Sequence, residues 1–253
     1  DGGAIVGSPL FPKIEQFVGD GSDGDLTIGA PTTFDKPKQF NNLTLNDKLE
    51  PASGINFLVI QVKGTLTVNN GGKIAVDGFG GVGGTAGGGN GGNGFVSADV
   101  FQSVDIGGVG GASPTAGRRS FNQLVAAIDA GEDLFIAFGG GGGGSAIASP
   151  GNGGDKWAGG GGGSTQGAGG ALGGNGGGCI VIFADTIVVN AGGEITARGK
   201  DGTLNSGGGG GGLVYLAYRS LTNSGTIAAT KGLGQGTGSD GADGLVAEKV
   251  IPG

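Results

Sequence analysis

Apolar residues fall in compact runs along this chain, of which FLVIQV, CIVIFADTIVV and LVYLAY are the clearest. Each is rich in β-branched and aliphatic side chains and is bounded by Asn-Gly or Gly-Gly. Asn and Gly tolerate positive φ, so these boundaries suit tight corners, and the pattern predicts short strands joined by turns. One segment departs from it. In RRSFNQLVAAIDAGEDL, Phe121, Leu124, Val125 and Ile128 recur at helical spacing, with Ser120 as N-cap, Gln123 three residues on and Gly131 to end the turn. A short helix is expected near 120–130, its apolar stripe covering an open face or end of the strands.

The runs repeat. VIQVKGTLTVNNGGKIAVDG at 59–78 aligns without a gap on IVIFADTIVVNAGGEITARG at 180–199, and LVYLAYRSLTNSGTIAATKG at 213–232 follows the same plan with a residue in or out. A partial copy precedes them: NNLTLN at 41–46 anticipates GTLTVN at 64–69, which sets Leu43 and Leu66 23 residues apart, the length of one coil of a β-solenoid. Strands this short cannot bury an apolar face alone, whereas stacked coils can. The expected fold is mainly β: a parallel β-solenoid or a flattened β-sandwich. Its core would place Ile60, Val62, Leu66, Val68 and Ile74 in correspondence with Val181, Phe183, Ile187, Val189 and Ile195.

Glycine then changes the picture, with 68 of 253 residues, many in tracts between the copies. Collagen is excluded, because there are only 8 prolines and no strict Gly-X-Y period. Glycine loses more backbone freedom on folding than any other residue. Ordered tracts therefore need a compensating set of contacts. Oligoglycine can form an extended threefold helix of the polyproline II type, and such helices pack side by side when no side chains intervene, pairing amides with carbonyls. The expectation is that the tracts at 139–144, 159–163 and 207–212 are ordered, adjacent polyglycine II-type segments. The alternative is that they are flexible loops.

The ends of the chain lack the repeat. Residues 1–25 are read as an N-terminal arm and 26–253 as a single glycine-rich β-solenoid-like domain, with LVAEKVI at 245–251 as a closing strand. The arm carries Ile5, Val6, Leu10, Phe11, Ile14 and Phe17, too many apolar groups for a solvated tail. Pro9 and Pro12 keep it out of a central sheet position while allowing an edge. It is a candidate inter-subunit contact, the alternative being that it folds back to cap its own strands. The start DGGAIVGSPL, in a chain without Met, reads as a processed product.

Composition narrows the chemistry. The net charge is −7 and only 14% of residues are charged, with no basic patch, so nucleic acid is not an expected partner. No apolar run approaches the roughly 18 residues of a membrane helix. With no His, Ser-His-Asp and Cys-His catalysis and His-based metal sites are excluded. Cys179, the only cysteine, opens a strand and reads as a buried structural thiol. Matches to G-x-G-x-x-G, as in GFGGVGG, are expected by chance at this glycine density and lack a βαβ setting. DGSDGD at 20–25 lacks EF-hand spacing and reads as an acidic turn. Asp77, Asp185, Glu194 and Asp201 lie near strand ends, but Asp77 aligns with Arg198 and Glu194 with Lys73. Such sign swaps point to solvated faces, so no catalytic residue, cofactor site or metal site is assigned and the chain is read as non-enzymatic. Phe79, Phe95, Phe101 and Trp157, in or beside glycine-rich loops, are candidate receptor or partner contacts.

GDGSDGDLTI, QFNNLTLN, GINFLVIQVKGTLTVNNGGKI, the glycine tracts and GGCIVIFADTIVVNAGGEITARG together resemble glycine-rich proteins of phage tail modules and microbial cell surfaces, over about residues 19–250. A looser likeness is to the tail-fibre adhesins of T-even-like phages, in which polyglycine helices stack and intervening loops bind receptors. The resemblance implies an extracellular, cell-surface or virion location. The expected function is that of a structural protein, the self-associating subunit of a filament or fibre. The alternative is a terminal adhesin that recognises a surface glycan or protein.

Overall fold

In a computed structural model of the chain, the residues described are 17–83, 172–203, 206–236, 238 and 240–251; they contain twelve β-strands and no helix. The helix expected near 120–130 and the tracts at 139–144 and 159–163 lie outside the described residues. The strands are β1 (Asp25–Ile28), β2 (Thr32–Phe34), β3 (Lys38–Phe40), β4 (Asn42–Leu45), β5 (Lys48–Pro51), β6 (Phe57–Val68), β7 (Lys73–Ala75), β8 (Cys179–Val189), β9 (Glu194–Thr196), β10 (Leu213–Asn223), β11 (Thr226–Ala228) and β12 (Leu245–Val250). They form two sheets in which every pair is parallel. The larger runs β1-β4-β6-β8-β10-β12, with β3 also paired to β6; the smaller runs β11-β9-β7-β5-β2.

Pairing follows the repeat. Leu43 lies opposite Leu66, Leu66 opposite Ile187, and Ile187 opposite Leu221. In the smaller sheet Leu49, Ile74, Ile195 and Ile227 form a matching column. The 23-residue interval between Leu43 and Leu66 is thus a true strand-to-strand step. The gapless alignment of the two long copies holds from Thr65 onward but fails before it. Val59 pairs with Val181 and Ile60 with Ile182, one place away from the gapless match, because β6 is irregular between Val62 and Thr65. Lys63 and Gly64 there oppose the single residue Asp185, as in a β-bulge. A Cβ on Gly64 would come within 2.9 Å of the Asn41 carbonyl oxygen, which explains the glycine at this crowded step.

This slip reassigns two expected core positions. Ile60, Val62, Leu66, Val68 and Ile74 join Ile187, Val189 and Ile195 in one buried cluster between the sheets, together with Ile180, Ile182, Val214 and Leu216. Val181 and Phe183 are also buried, but they face the other side of the large sheet, in a second cluster with Cys179, Leu213, Tyr215 and Ala217. The runs CIVIFA and LVYLAY are buried at every residue. They read as continuous apolar runs for that reason: a parallel strand covered on both faces has no polar side.

Corners stack as the strands do. Asn69 donates through Nδ2 to Asn46 Oδ1 at 2.8 Å and accepts on Oδ1 from Asn190 Nδ2 at 2.8 Å, so three corners are joined by a ladder of side-chain amides. Gly71 and Gly192 each take a positive φ, 82° and 80°, in the same turn. The third copy turns in fewer residues: Asn223 pairs with Val189 and Thr226 with Glu194, and Ser224 replaces the ladder asparagine.

Glycine rows run beside the strands. Residues 174–178, 207–212 and 241–244 lead into β8, β10 and β12, while 76–81, 197–202 and 229–233 follow β7, β9 and β11. Their backbone bonds recur at every third residue. Gly174 and Gly177 donate to the carbonyls of Gly207 and Gly210; Gly209 and Gly212 donate to Lys200 and Ala197; Gly241 and Gly244 donate to Gly232 and Ala229, all within 2.7–3.0 Å. Residues 206–212 are buried throughout. A Cβ on Gly209 would sit inside the carbonyl of Asn175, and one on Gly177 would lie 2.6 Å from the Gly212 nitrogen. The tract at 207–212 is therefore packed, although its neighbours among the described residues are these rows.

Candidate functional site

The charged residues of β7, β9 and their exits form one cross-strand network. Lys73 Nζ lies 3.0 Å from Asp77 Oδ2 and 3.1 Å from Glu194 Oε2, and Arg198 reaches the same Glu194 oxygen at 3.4 Å. Asp77 also accepts the Arg198 amide at 2.7 Å and the Thr196 hydroxyl at 3.0 Å. Burial by itself would raise the Asp77 pKa, but the Arg198 amide, the Lys73 ammonium and the Thr196 hydroxyl outweigh it and hold the carboxyl below its ordinary value. The expectation of solvated faces is corrected here, since the side chain of Asp77 is only 12% exposed. The sign alternation at equivalent positions is a pairing device, because the parallel register sets Lys73 opposite Glu194 and like charges there would repel. Asp185 and Asp201 lie apart from this group: Asp185 pairs with Arg219 at 2.7 Å, and Asp201 accepts the Leu233 amide.

In DGSDGD the three carboxylates are turned onto the chain itself. Asp20 accepts the Ser22 amide, Asp23 the Gln39 amide at 2.7 Å, and Asp25 both the amide and the side-chain nitrogen of Asn42. Among the described residues no group of three acidic or thiol side chains is placed to hold a metal. Cys179 is fully buried at the start of β8, and burial pushes its thiol pKa well up. Tyr218 is pushed up to about 12 by burial and by its 2.7 Å bond to Glu248, which ties β10 to β12.

Of the candidate contact aromatics, Phe79 is half-buried and packs on the core between the sheets. Phe95, Phe101 and Trp157 lie outside the described residues. Of the arm residues, Phe17 stacks on Phe183 of its own chain, with ring centroids 5.6 Å apart, and its carbonyl accepts from Gln61 at 2.7 Å. Ile5, Val6, Leu10, Phe11 and Ile14 lie outside the described residues. No helix among the described residues is long and apolar enough to cross a membrane.

Exposed strand edges at the ends of the stack are expected from the repeat itself, but the residues that form them were not singled out from the sequence. Among the described residues one end presents β1, β2 and β3, each paired with a single strand; the other presents β11 and β12, likewise. β12 covers only residues 213–218 of β10, so the 220–223 half has no strand beyond it among the described residues. Side chains that belong to the core columns are only half-buried here: Leu26 at one end, Leu221, Ile227 and Val246 at the other. Val250, on β12, is 61% exposed. Their signal in the sequence was positional, since each occupies the core column of a terminal copy. Comparison with models of known families, with characterised proteins and with solved structures finds no match to this chain.

Proposed function

We propose that this chain is a non-enzymatic structural protein, the repeating subunit of an extracellular or virion filament or fibre. In this reading the two parallel sheets are successive coils of a β-solenoid, and the glycine rows are polyglycine II-type segments packed along it. The threefold recurrence of glycine hydrogen bonds supports the second part, since three residues per turn is the period of that helix. The single observation that carries the functional reading is the pair of open ends. Among the described residues both sheets end on each side in strands with one open edge, and core residues there are left half-covered. Unpaired edges of this kind invite strand addition, and a contact between two different ends of one molecule does not close on itself. The apolar residues of the N-terminal arm would add a second contact beyond Phe17. Phe79, seated on its own core, gives no support to the adhesin alternative.

Sedimentation velocity over a wide concentration range, with negative-stain micrographs of the same samples, tests the proposal. Species that lengthen with concentration into linear particles are expected. A single monomeric species at every concentration would contradict it.

A further inference from the structure

The proposal that the chain assembles leaves open which surfaces meet, and the strand register supplies an answer that rests on that reading. We infer that β1 and β2 of a second copy dock in parallel on residues 220–223 of β10 and on β11, completing the coil that β12 leaves half-built.

The columns fix the pairing. Leu26 continues through Leu43, Leu66 and Ile187 to Leu221. Thr27 continues through Thr44, Thr67 and Val188 to Thr222. In the smaller sheet Thr32 continues through Leu49, Ile74 and Ile195 to Ile227. A second copy moved along the stack by one full set of strands therefore sets Leu26 over Leu221, Thr27 over Thr222 and Thr32 over Ile227. The strands at both ends run the same way, so the junction is parallel like every other pair. It also covers Leu26, Leu221 and Ile227, three of the half-buried residues against the inter-sheet core.

One charged contact fits this register. Asp25 would pair at the level of Ser220, next to Arg219, whose side chain is 54% exposed and already leans on Asp185. The turn leading into β1 carries Asp20 and Asp23, the latter paired with Lys38 of its own chain. That turn is held on β3, where the Asp23 amide donates to the Gln39 carbonyl and the Asn41 amide to the Gly24 carbonyl, and it meets the corner where β12 finishes, so docking requires it to swing off β3.

Thr27 and Thr222 are both exposed, so a Thr27→Cys, Thr222→Cys double variant reads the contact directly. Neighbouring parallel strands lie about 4.8 Å apart, within disulfide reach, whereas within one chain the two positions are separated by four such steps, roughly 19 Å, and cannot join. Cys179 is buried and does not compete. Under mild oxidation the double variant should form a covalent ladder of multimers, while a mixture of the two single variants should stop at a crossed dimer. Absence of cross-links in samples that sedimentation shows to be assembled would overturn the end contact and leave the filament reading intact. Monomers without cross-links at every concentration would overturn both.

Discussion

Glycine serves two distinct purposes here, and single substitutions separate them. Gly71 sits in the left-handed region at φ 82°, with only the Asn46 carbonyl oxygen, 3.8 Å away, near an added Cβ. Gly71→Ala should therefore cost about 1–2 kcal/mol, the backbone penalty alone. Gly209 has no such φ, but its Cβ would enter the Asn175 carbonyl, and Gly209→Val should unfold the protein or lower its urea midpoint far more than Gly71→Ala. Similar midpoints for the two would refute close packing of the row. Asp77 gives a pH test. Its folded pKa lies below the ordinary 3.8, so its contribution is present above that value and is lost as pH falls through the folded pKa. Wild type should lose stability relative to Asp77→Asn only below about that ordinary carboxylate range. Parallel curves from neutral pH down to acid would contradict the network.

Elements stack because like residues meet like, and both the core columns and the corner ladder can be cut at one rung. Ile187 is fully buried between Leu66 and Leu221, so Ile187→Ala should cost about 2–5 kcal/mol by denaturant titration. A loss near zero would deny the column. Asn69 holds two rungs of the amide ladder and Asn46 only one of them. At about 0.5–1.5 kcal/mol per bond, Asn69→Ala should destabilise more than Asn46→Ala. Much of this level was legible in the sequence: the Leu43–Leu66 step, the strand runs, the Asn-Gly corners and the buried Cys179 all follow from local pattern. The one-residue slip ahead of Thr65 was not. A bulge is invisible when Val59 and Ile60, or Val181 and Ile182, are equally apolar, so either register satisfies alternation and only the crowded backbone at Gly64 decides.

At the scale of the whole molecule, the candidate site was the least legible part. Loop aromatics and the arm drew attention because they break the repeat, whereas Leu26, Leu221 and Ile227 look like ordinary core residues in the sequence. What distinguishes them is that their columns end there among the described residues, a property of the sheets and not of any local motif. The same stack sets a length. The columns of β1, β4, β6, β8 and β10 in one sheet, and β2, β5, β7, β9 and β11 in the other, each contain five strands, so head-to-tail docking implies an axial repeat of about 24 Å at about 4.8 Å per strand. Helical reconstruction from electron cryomicrographs of purified protein measures that repeat directly. The account predicts filaments with a subunit rise near 24 Å and strands stacked along the filament axis. Isolated particles at all concentrations, or filaments whose strands do not continue from one subunit to the next, would contradict it.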